Sequence, residues 1–132
     1  MVTILRPFRL ALVCLAFAST ASAQFGHPLK GSWSGDWGTG TANRTHLVID
    51  VGWDGKTLTG SLNPGANAVA LKTTLDAATW MVHFEGDGKD QSGASVKYVI
   101  DGKMENIGAY ARFITGTWTE GSKKGNFKIT RN

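Results

Sequence analysis

The stretch RTHLVIDVGW, residues 44–53, has the cleanest period-two alternation in the chain, and Asp54-Gly55 follows it at once. One face of this stretch carries Thr45, Leu47, Ile49, Val51 and Trp53. An Asp-Gly pair between two alternating runs is the strongest short-range signal for a β-hairpin. We therefore expect residues 57–63, with Leu58 and Leu62 inward, to return as an antiparallel partner strand.

The same alternation extends outward from this hairpin over the rest of the chain. Strand-like runs are found at residues 30–37, 44–53, 57–63, 68–75, 79–85, 95–105, 112–119 and 126–131. No window has the apolar spacing of an amphipathic helix over three turns. Short strands joined by short turns predict an all-β domain: a single small antiparallel up-and-down barrel of about eight strands, or a sandwich. We favour the barrel because closure removes exposed strand edges.

The inward positions of these strands define the expected core. An eight-stranded barrel has room for little more than its own side chains or one small ligand, so we expect a lumen that is mostly filled. Glycines at inward positions 35, 60, 102 and 116 fit strands that bend tightly or approach a neighbouring backbone closely. The apolar residues expected inside are Trp33, Leu47, Ile49, Leu58, Leu62, Leu71, Trp80, Val82, Phe84, Tyr98, Ile100, Ile114, Trp118, Phe127 and Ile129.

The N-terminal segment has the three parts of a secretory signal peptide. Arg6 and Arg9 precede an apolar run at residues 10–18, and Ala21-Ser22-Ala23 forms a cleavage site of the A-x-A type. A permanent membrane span needs about 20 apolar residues, so this run is too short for one. The sequence thus predicts a signal peptide over residues 1–23, an N-terminal lead over 24–29 and a β-barrel domain over 30–132, located outside the cell or in the periplasm.

Charge and cysteine content narrow the classes of partner. Two of the 14 basic residues belong to the signal peptide, so the formal charge of +4 overstates that of the exported chain. A nucleic-acid-binding domain would show a clustered basic stripe, and we expect no such partner. The only cysteine, Cys14, also lies in the signal peptide, which leaves the core to hold the fold without disulfides. We expect a monomer.

The start of the first strand resembles a known family signature. Gly31-Ser32-Trp33 resembles the Gly-x-Trp motif of the lipocalin and calycin families. In those barrels the tryptophan closes one end of the core, and a basic residue from the last strand packs across its indole. The resemblance implies that Arg131 stacks on Trp33 through a cation–π contact, with Gly31, Trp33 and Arg131 as the structural signature.

No residues are spaced for catalysis. A nucleophile needs an adjacent activating base, and no Gly-x-Ser-x-Gly turn is present. His27, His46 and His83 lack the spacing of a metal site, and the last two fall on the solvent side of their strands. Residues 31–40 also resemble the start of nitrobindin-type haem barrels, but no histidine near the C-terminus could ligate the iron. We expect no enzymatic activity, no metal and no cofactor.

Two functions of different class remain open. In the first, a small apolar or amphipathic molecule binds at a barrel mouth lined by Trp37, Trp53, Asn63 and Asn67, since ligand sites are concave and mostly apolar with a few polar anchors. The alternative is a protein-interaction or inhibitor module that contacts an envelope or secreted protein through its loops and the 24–29 lead. That lead resembles the N-terminal trunk of small periplasmic barrels that inhibit metalloproteases.

The predicted signal peptide can be tested at its cleavage site. When the full chain is produced in a bacterial host, N-terminal sequencing of the exported protein should begin at Gln24, because the small residues Ala21 and Ala23 fit the signal peptidase. As a control, Ala23→Arg should leave the leader attached. Recovery of wild-type protein that starts at Met1 or Cys14 would contradict the prediction.

Overall fold

The computed structural model describes residues 26–89 and 92–132. They form an all-β, closed, eight-stranded antiparallel barrel in which the strands neighbour one another in chain order. The predicted signal peptide, residues 1–23, and the predicted mature N-terminus at Gln24 lie outside the described residues. The strands are β1 (Gly31–Gly38), β2 (Arg44–Trp53), β3 (Leu58–Leu62), β4 (Val69–Asp76), β5 (Met81–Lys89), β6 (Ser95–Glu105), β7 (Phe113–Glu120) and β8 (Lys123–Arg131).

The pairing of the first and last strands closes the barrel. β1 pairs with β2 along its whole length, and its other edge pairs with β8, so that Trp33 lies opposite Arg131 and Trp37 opposite Phe127. Every strand therefore has two neighbouring strands, and the sheet has no free edge strand. The predicted fold class, an up-and-down barrel of about eight strands, is confirmed, and its architecture is consistent with a small calycin-like barrel.

The hairpin that decided the fold forms as expected. Residues 54–57 connect β2 to β3, and Gly55 has a φ of 99°, which suits glycine. The Asp54 carboxylate accepts hydrogen bonds from the backbone N–H groups of Thr57 and Lys56 at 2.7 and 2.8 Å. Both bonds hold the pKa of the Asp54 carboxyl below its ordinary value, and the bond from Thr57 contributes most.

The fifth strand differs most from its sequence prediction. The sequence predicts a strand that ends at Glu85 and a polar loop from Gly86 to Ala94, whereas β5 continues to Lys89 and pairs with the start of β6. Gly86 and Gly88 allow this extension, because a side chain at either position would clash with β4 or with its residues. A Cβ at Gly86 would overlap the carbonyl oxygen of Ala70 on β4, so the close approach of these backbones requires glycine there.

Trp80 is placed differently from the expected strand position. It lies in the turn before β5 with a φ of 60°, a left-handed conformation that is uncommon for a bulky residue. Two backbone hydrogen bonds hold it there: its N–H donates to Asp76 O at 2.7 Å, and its carbonyl accepts from Met104 N–H at 2.9 Å. The half-buried side chain packs against the core from one end of the barrel and not from within a strand.

The lumen is filled by side chains along most of its length. The expected core residues are buried except Leu58 and Trp80, which are half-buried and pack against it. Leu29, from the N-terminal lead, and Met104 are also fully enclosed. The buried apolar residues are Leu29, Trp33, Trp37, Leu47, Ile49, Val51, Leu62, Leu71, Val82, Phe84, Tyr98, Ile100, Met104, Ile114, Trp118, Phe127 and Ile129.

Glycine pairs let the strands bend around this core. Gly102 and Gly116 lie directly opposite each other on β6 and β7. A Cβ built at Gly116 would overlap the carbonyl oxygen of Asp101 and come within 2.6 Å of the Gly102 Cα. Both are backbone atoms, which cannot move aside as a flexible side chain could. The expectation that inward glycines mark close backbone approach is confirmed here.

Gly116→Ala should therefore destabilise the barrel by about 1–3 kcal/mol, the usual cost of overpacking a close-packed interior. The measurement is the free energy of unfolding from urea titration. Gly40→Ala is the matched control, because Gly40 lies in an exposed loop and no atom lies within 4 Å of the place that the added methyl group would take. Equal stability of the two variants would contradict the close-approach explanation.

Candidate functional site

The two ends of the barrel differ. We call the end that carries residues 26–30 and the connections 54–57, 77–80 and 106–112 the closed end. Leu29 is fully buried there, and its carbonyl accepts a 2.9 Å hydrogen bond from the Trp33 indole N–H. Arg112 ties the same segment to the β6–β7 connection by donating to Pro28 O at 2.8 Å and Ile107 O at 3.0 Å. The described part of the N-terminal lead therefore closes the barrel.

The lead packs against the barrel, whereas a segment that inserts into a partner would be exposed. His27 and Pro28 are half-buried, and the His27 ring lies 4.7 Å from the Trp53 ring at a tilt of 47°. An apolar residue immediately before the first strand, here Leu29, is the sequence signal that could have indicated a plug. Of the lead residues that the structure describes, Gly26 is exposed, so little of this part is free to insert into a partner.

Burial lowers the pKa of His27 below its ordinary value. Its Nδ1 accepts a hydrogen bond from the Leu29 N–H at 3.1 Å, which requires a neutral ring with Nδ1 unprotonated. A histidine whose pKa falls on folding binds protons more readily in the unfolded chain. Its neutral form therefore favours the folded state above the ordinary pKa, and this contribution is lost as the pH falls below it.

The opposite end of the barrel, which we call the open end, holds a cavity of about 650 Å³. It lies between the β3–β4 connection and the neighbouring ends of β5 and β6. Leu62, Val69 and Tyr98 give it an apolar floor, while polar side chains surround the entrance. Its full lining is Leu62, Asn63, Asn67, Ala68, Val69, Asp87, Gly88, Lys89 and Tyr98.

The structure brings together two of the four residues predicted to bind a ligand. Asn63 and Asn67 line the cavity. Trp37 lies at the same end but is buried in the core outside the cavity lining, and Trp53 lies at the closed end against His27. Strand direction alternates in an up-and-down barrel, so the last residues of β1 and β2 must lie at opposite ends. That rule could have separated Trp37 from Trp53 in the sequence.

Asn63 also has a structural role. It follows β3 with a φ of 50°, its N–H donates to Val48 O at 2.7 Å, and its side-chain oxygen accepts from Val48 N–H at 3.0 Å. The side chain thereby continues the β2–β3 ladder by one position. Pro64 and Gly65, with a φ of 140° at the glycine, then turn the chain into the cavity rim.

A group of four aromatic side chains, which we call the aromatic layer, lies beneath the open end. Trp37 stacks on Trp118 with ring centroids 5.3 Å apart. Tyr98 and Phe127 meet Trp118 edge to face at 6.0 and 6.2 Å. Tyr98 also lines the cavity, so the aromatic layer and the cavity meet at this residue.

The cavity residues that the sequence analysis missed come from β5 and β6. The sequence places Asp87, Gly88 and Lys89 in a loop, and Tyr98 only in the core. The pairing of Gly86 with Tyr98 and of Gly88 with Val96 brings these residues to the rim. Continued alternation through Phe84, Gly86 and Gly88 is the signal that could have revealed the longer strand.

The signature residues Gly31, Trp33 and Arg131 meet at the closed end. Trp33 is fully buried and lies opposite Arg131 in the β1–β8 ladder. Gly31 has a φ of 137°, and a Cβ there would lie 3.3 Å from Arg131 Cδ, so the arginine chain passes beside this glycine. Stacking of the guanidinium on the Trp33 indole stays a prediction.

The outer wall holds the only histidine among the described residues with two carboxylate partners. His83 Nδ1 lies 2.5 Å from Asp101 Oδ1, and its Nε2 lies 3.1 Å from Glu85 Oε1. Lys97 extends the network, with its Nζ 3.6 Å from Glu85 Oε2.

Over residues 26–89 and 92–132, no group of three or more His, Cys, Asp or Glu side chains could hold a metal ion. The described residues also contain no helix long and apolar enough to cross a membrane.

Hydrogen bonds to Asp101 and then Glu85 raise the pKa of His83 above its ordinary value. Carboxylates only accept hydrogen bonds, so both ring nitrogens are satisfied when the ring is protonated. A pKa raised on folding stabilises the folded state below the unfolded pKa, and the contribution is lost as the pH rises through the folded pKa. With the side chain 38% exposed, solvent screens the effect and its contribution to stability is small.

An NMR titration of the His83 ring should therefore give a pKa above that of a histidine in an unstructured peptide. Asp101→Asn removes the charge of the first partner and should bring the pKa down, while Asp50→Asn, on an exposed site of β2, should leave it unchanged. A His83 pKa that does not respond to Asp101→Asn would contradict the assigned cause.

Comparison with known proteins yields no family: no protein-family model matches the chain, and no curated protein or solved structure matches it either. The function must therefore be inferred from the open cavity and the closed end opposite it.

Proposed function

We propose that the protein is an exported, non-catalytic barrel that binds a small apolar or amphipathic molecule in the cavity at its open end. The observation that carries this proposal is the difference between the two ends. Leu29 plugs one end, while the other holds about 650 Å³ of space above an apolar floor. Binding sites for small molecules have this concave form and a size of about 300–1,000 Å³.

The chemistry of the lining supports an amphipathic ligand. Leu62 and Val69 offer apolar contact deep in the cavity, whereas Asn67, Asp87 and Lys89 supply both donors and acceptors at the rim. Asp87 and Lys89 carry opposite charges, so the rim does not select strongly for an anion or a cation. The apolar floor provides affinity, and the rim orients the polar part of the molecule.

A saturable fluorescent probe tests this function. N-phenyl-1-naphthylamine, a neutral apolar dye that brightens out of water, should bind with a stoichiometry of about one. Asn67→Trp should weaken binding at least about tenfold, because a bulky side chain at the exposed rim narrows the entrance. Asn43→Trp is the matched control: it makes the same change at an exposed position of the open end outside the cavity lining.

Direct excitation of the dye avoids interference from the added tryptophan. Absence of saturable binding to the wild-type protein would overturn the proposal, as would equal loss in both variants.

One exposed residue supports the second candidate function, that of a protein-interaction module. Tyr110, in the connection between β6 and β7 at the closed end, is 83% exposed. Tyrosine is enriched at interface hot spots. Capture of an envelope protein that Tyr110→Ser abolishes and Asn67→Trp leaves intact would favour this function over small-molecule binding.

A further inference from the structure

One polar atom of the buried core lacks a partner. Trp118 is 1% exposed, and its indole Nε1 makes no hydrogen bond within the described part of the chain. The other fully buried tryptophan, Trp33, donates to Leu29 O. Buried side-chain donors nearly always have an acceptor, because burying one without an acceptor costs its full desolvation free energy. The other buried polar side chain, Thr73, donates to Leu71 O, so the unpaired indole of Trp118 calls for an explanation.

The position of Trp118 supplies one. It lies on β7 close to the open end, opposite Ile100 on β6 and Gly125 on β8. Its ring sits at the centre of the aromatic layer, in contact with Trp37, Tyr98 and Phe127. Of these, Tyr98 reaches the cavity floor. The unpaired donor is thus one aromatic ring away from the space proposed to hold a ligand.

The Tyr98 ring lies between the cavity and Trp118. The cavity residue Gly88 lies beside this ring, and a Cβ there would come within 2.9 Å of Tyr98 Cε2 and within 2.8 Å of Val69 Cγ2. Glycine at this position therefore lets Tyr98 and Val69 pack closely against β5 at the wall of the cavity. A ligand in the cavity would have to displace the Tyr98 ring to reach Trp118.

We propose that the indole N–H of Trp118 is the deep polar anchor of the ligand site, and that it selects molecules that carry a neutral carbonyl oxygen on an apolar body. This inference rests on the proposed function of the cavity. The surrounding aromatic rings exclude a carboxylate, because an ionised group would be desolvated there without a counter-charge. A ketone, ester or amide oxygen accepts the hydrogen bond at a far lower desolvation cost. The ligand's carbonyl end therefore enters first, and its remaining polar groups stay at the rim.

Two probes of nearly equal shape test this selection. Acetophenone carries a carbonyl oxygen where isopropylbenzene carries a methyl group. The ratio of their dissociation constants is measured by NMR titration for the wild-type protein and for Trp118→Phe, which keeps an aromatic ring but removes the donor. Comparing the ratios cancels the cost of removing the ketone from water. We expect the preference for acetophenone to be about tenfold greater in the wild-type protein, as for one buried hydrogen bond to a donor already desolvated.

Trp53→Phe is the matched control, since it makes the same substitution at the closed end and should leave the ratio unchanged. A second measurement needs no variant: the Trp118 indole proton of the wild-type protein should shift downfield with acetophenone and not with isopropylbenzene. This keeps the inference testable where Trp118→Phe does not fold.

The outcomes separate the two proposals. A ratio that Trp118→Phe leaves unchanged, or an indole proton that responds equally to both probes, overturns the role of Trp118 while cavity binding stands. An indole proton held by a buried water that acetophenone does not displace has the same consequence. If neither these probes nor N-phenyl-1-naphthylamine binds the wild-type protein, the proposed function fails and this inference fails with it.

Discussion

The pairing of β1 with β8 is the constraint on which the rest of the structure depends. With both edges of β1 used, the eight strands enclose a lumen so narrow that large side chains from facing strands meet across it. Trp37 from the first strand can then stack on Trp118 from the seventh. The same small radius forces backbones together where strands bend, and only glycine fits there, as at Gly116 against Asp101 O. Closure, aromatic filling and glycine placement are thus one physical requirement.

Closure by itself does not decide which end of a barrel is accessible; the chain before β1 does so here. Leu29 enters the closed end, Arg112 holds the preceding carbonyl of Pro28, and the half-buried Trp80 packs against the core from the same end. At the open end, the connection that follows β3 and the neighbouring ends of β5 and β6 line the cavity.

Alternating polarity was sufficient to predict the strands and most of the core, because a period of two decides which side of a strand faces inward. The closed barrel was preferred to a sandwich because closure removes exposed strand edges. The bounds of β2 (Arg44–Trp53) and of the uninterrupted β6 (Ser95–Glu105) agree with that pattern. The predicted end of β5 was wrong, because glycine occurs both in loops and where two strands approach closely. Gly86 and Gly88 read as loop residues, although in the structure they permit close strand contact, and β5 was therefore cut short.

The site was harder to predict than the fold, since it depends on strand ends and not on periodicity. Asn63 and Asn67 were identified through the turn around Pro64, whose chemistry is local. Trp53 lies at the closed end, because strand direction alternates and β1 and β2 therefore end on opposite sides, a rule that the predicted mouth with Trp37 and Trp53 together did not take into account. Asp87 and Tyr98 became rim and floor through the length and register of β5 against β6, which a single sequence specifies only weakly.

The two fully buried tryptophans differ in whether their indole donors have an acceptor. Trp33 at the closed end has its donor satisfied by Leu29 O, so the polar requirement of its indole is met within the chain. Trp118 near the open end has the same donor without an acceptor among the described residues. An unpaired buried donor of this kind costs free energy of folding. Under the function proposed above, a ligand acceptor would approach this donor from the cavity side, because Leu29 occupies the closed end.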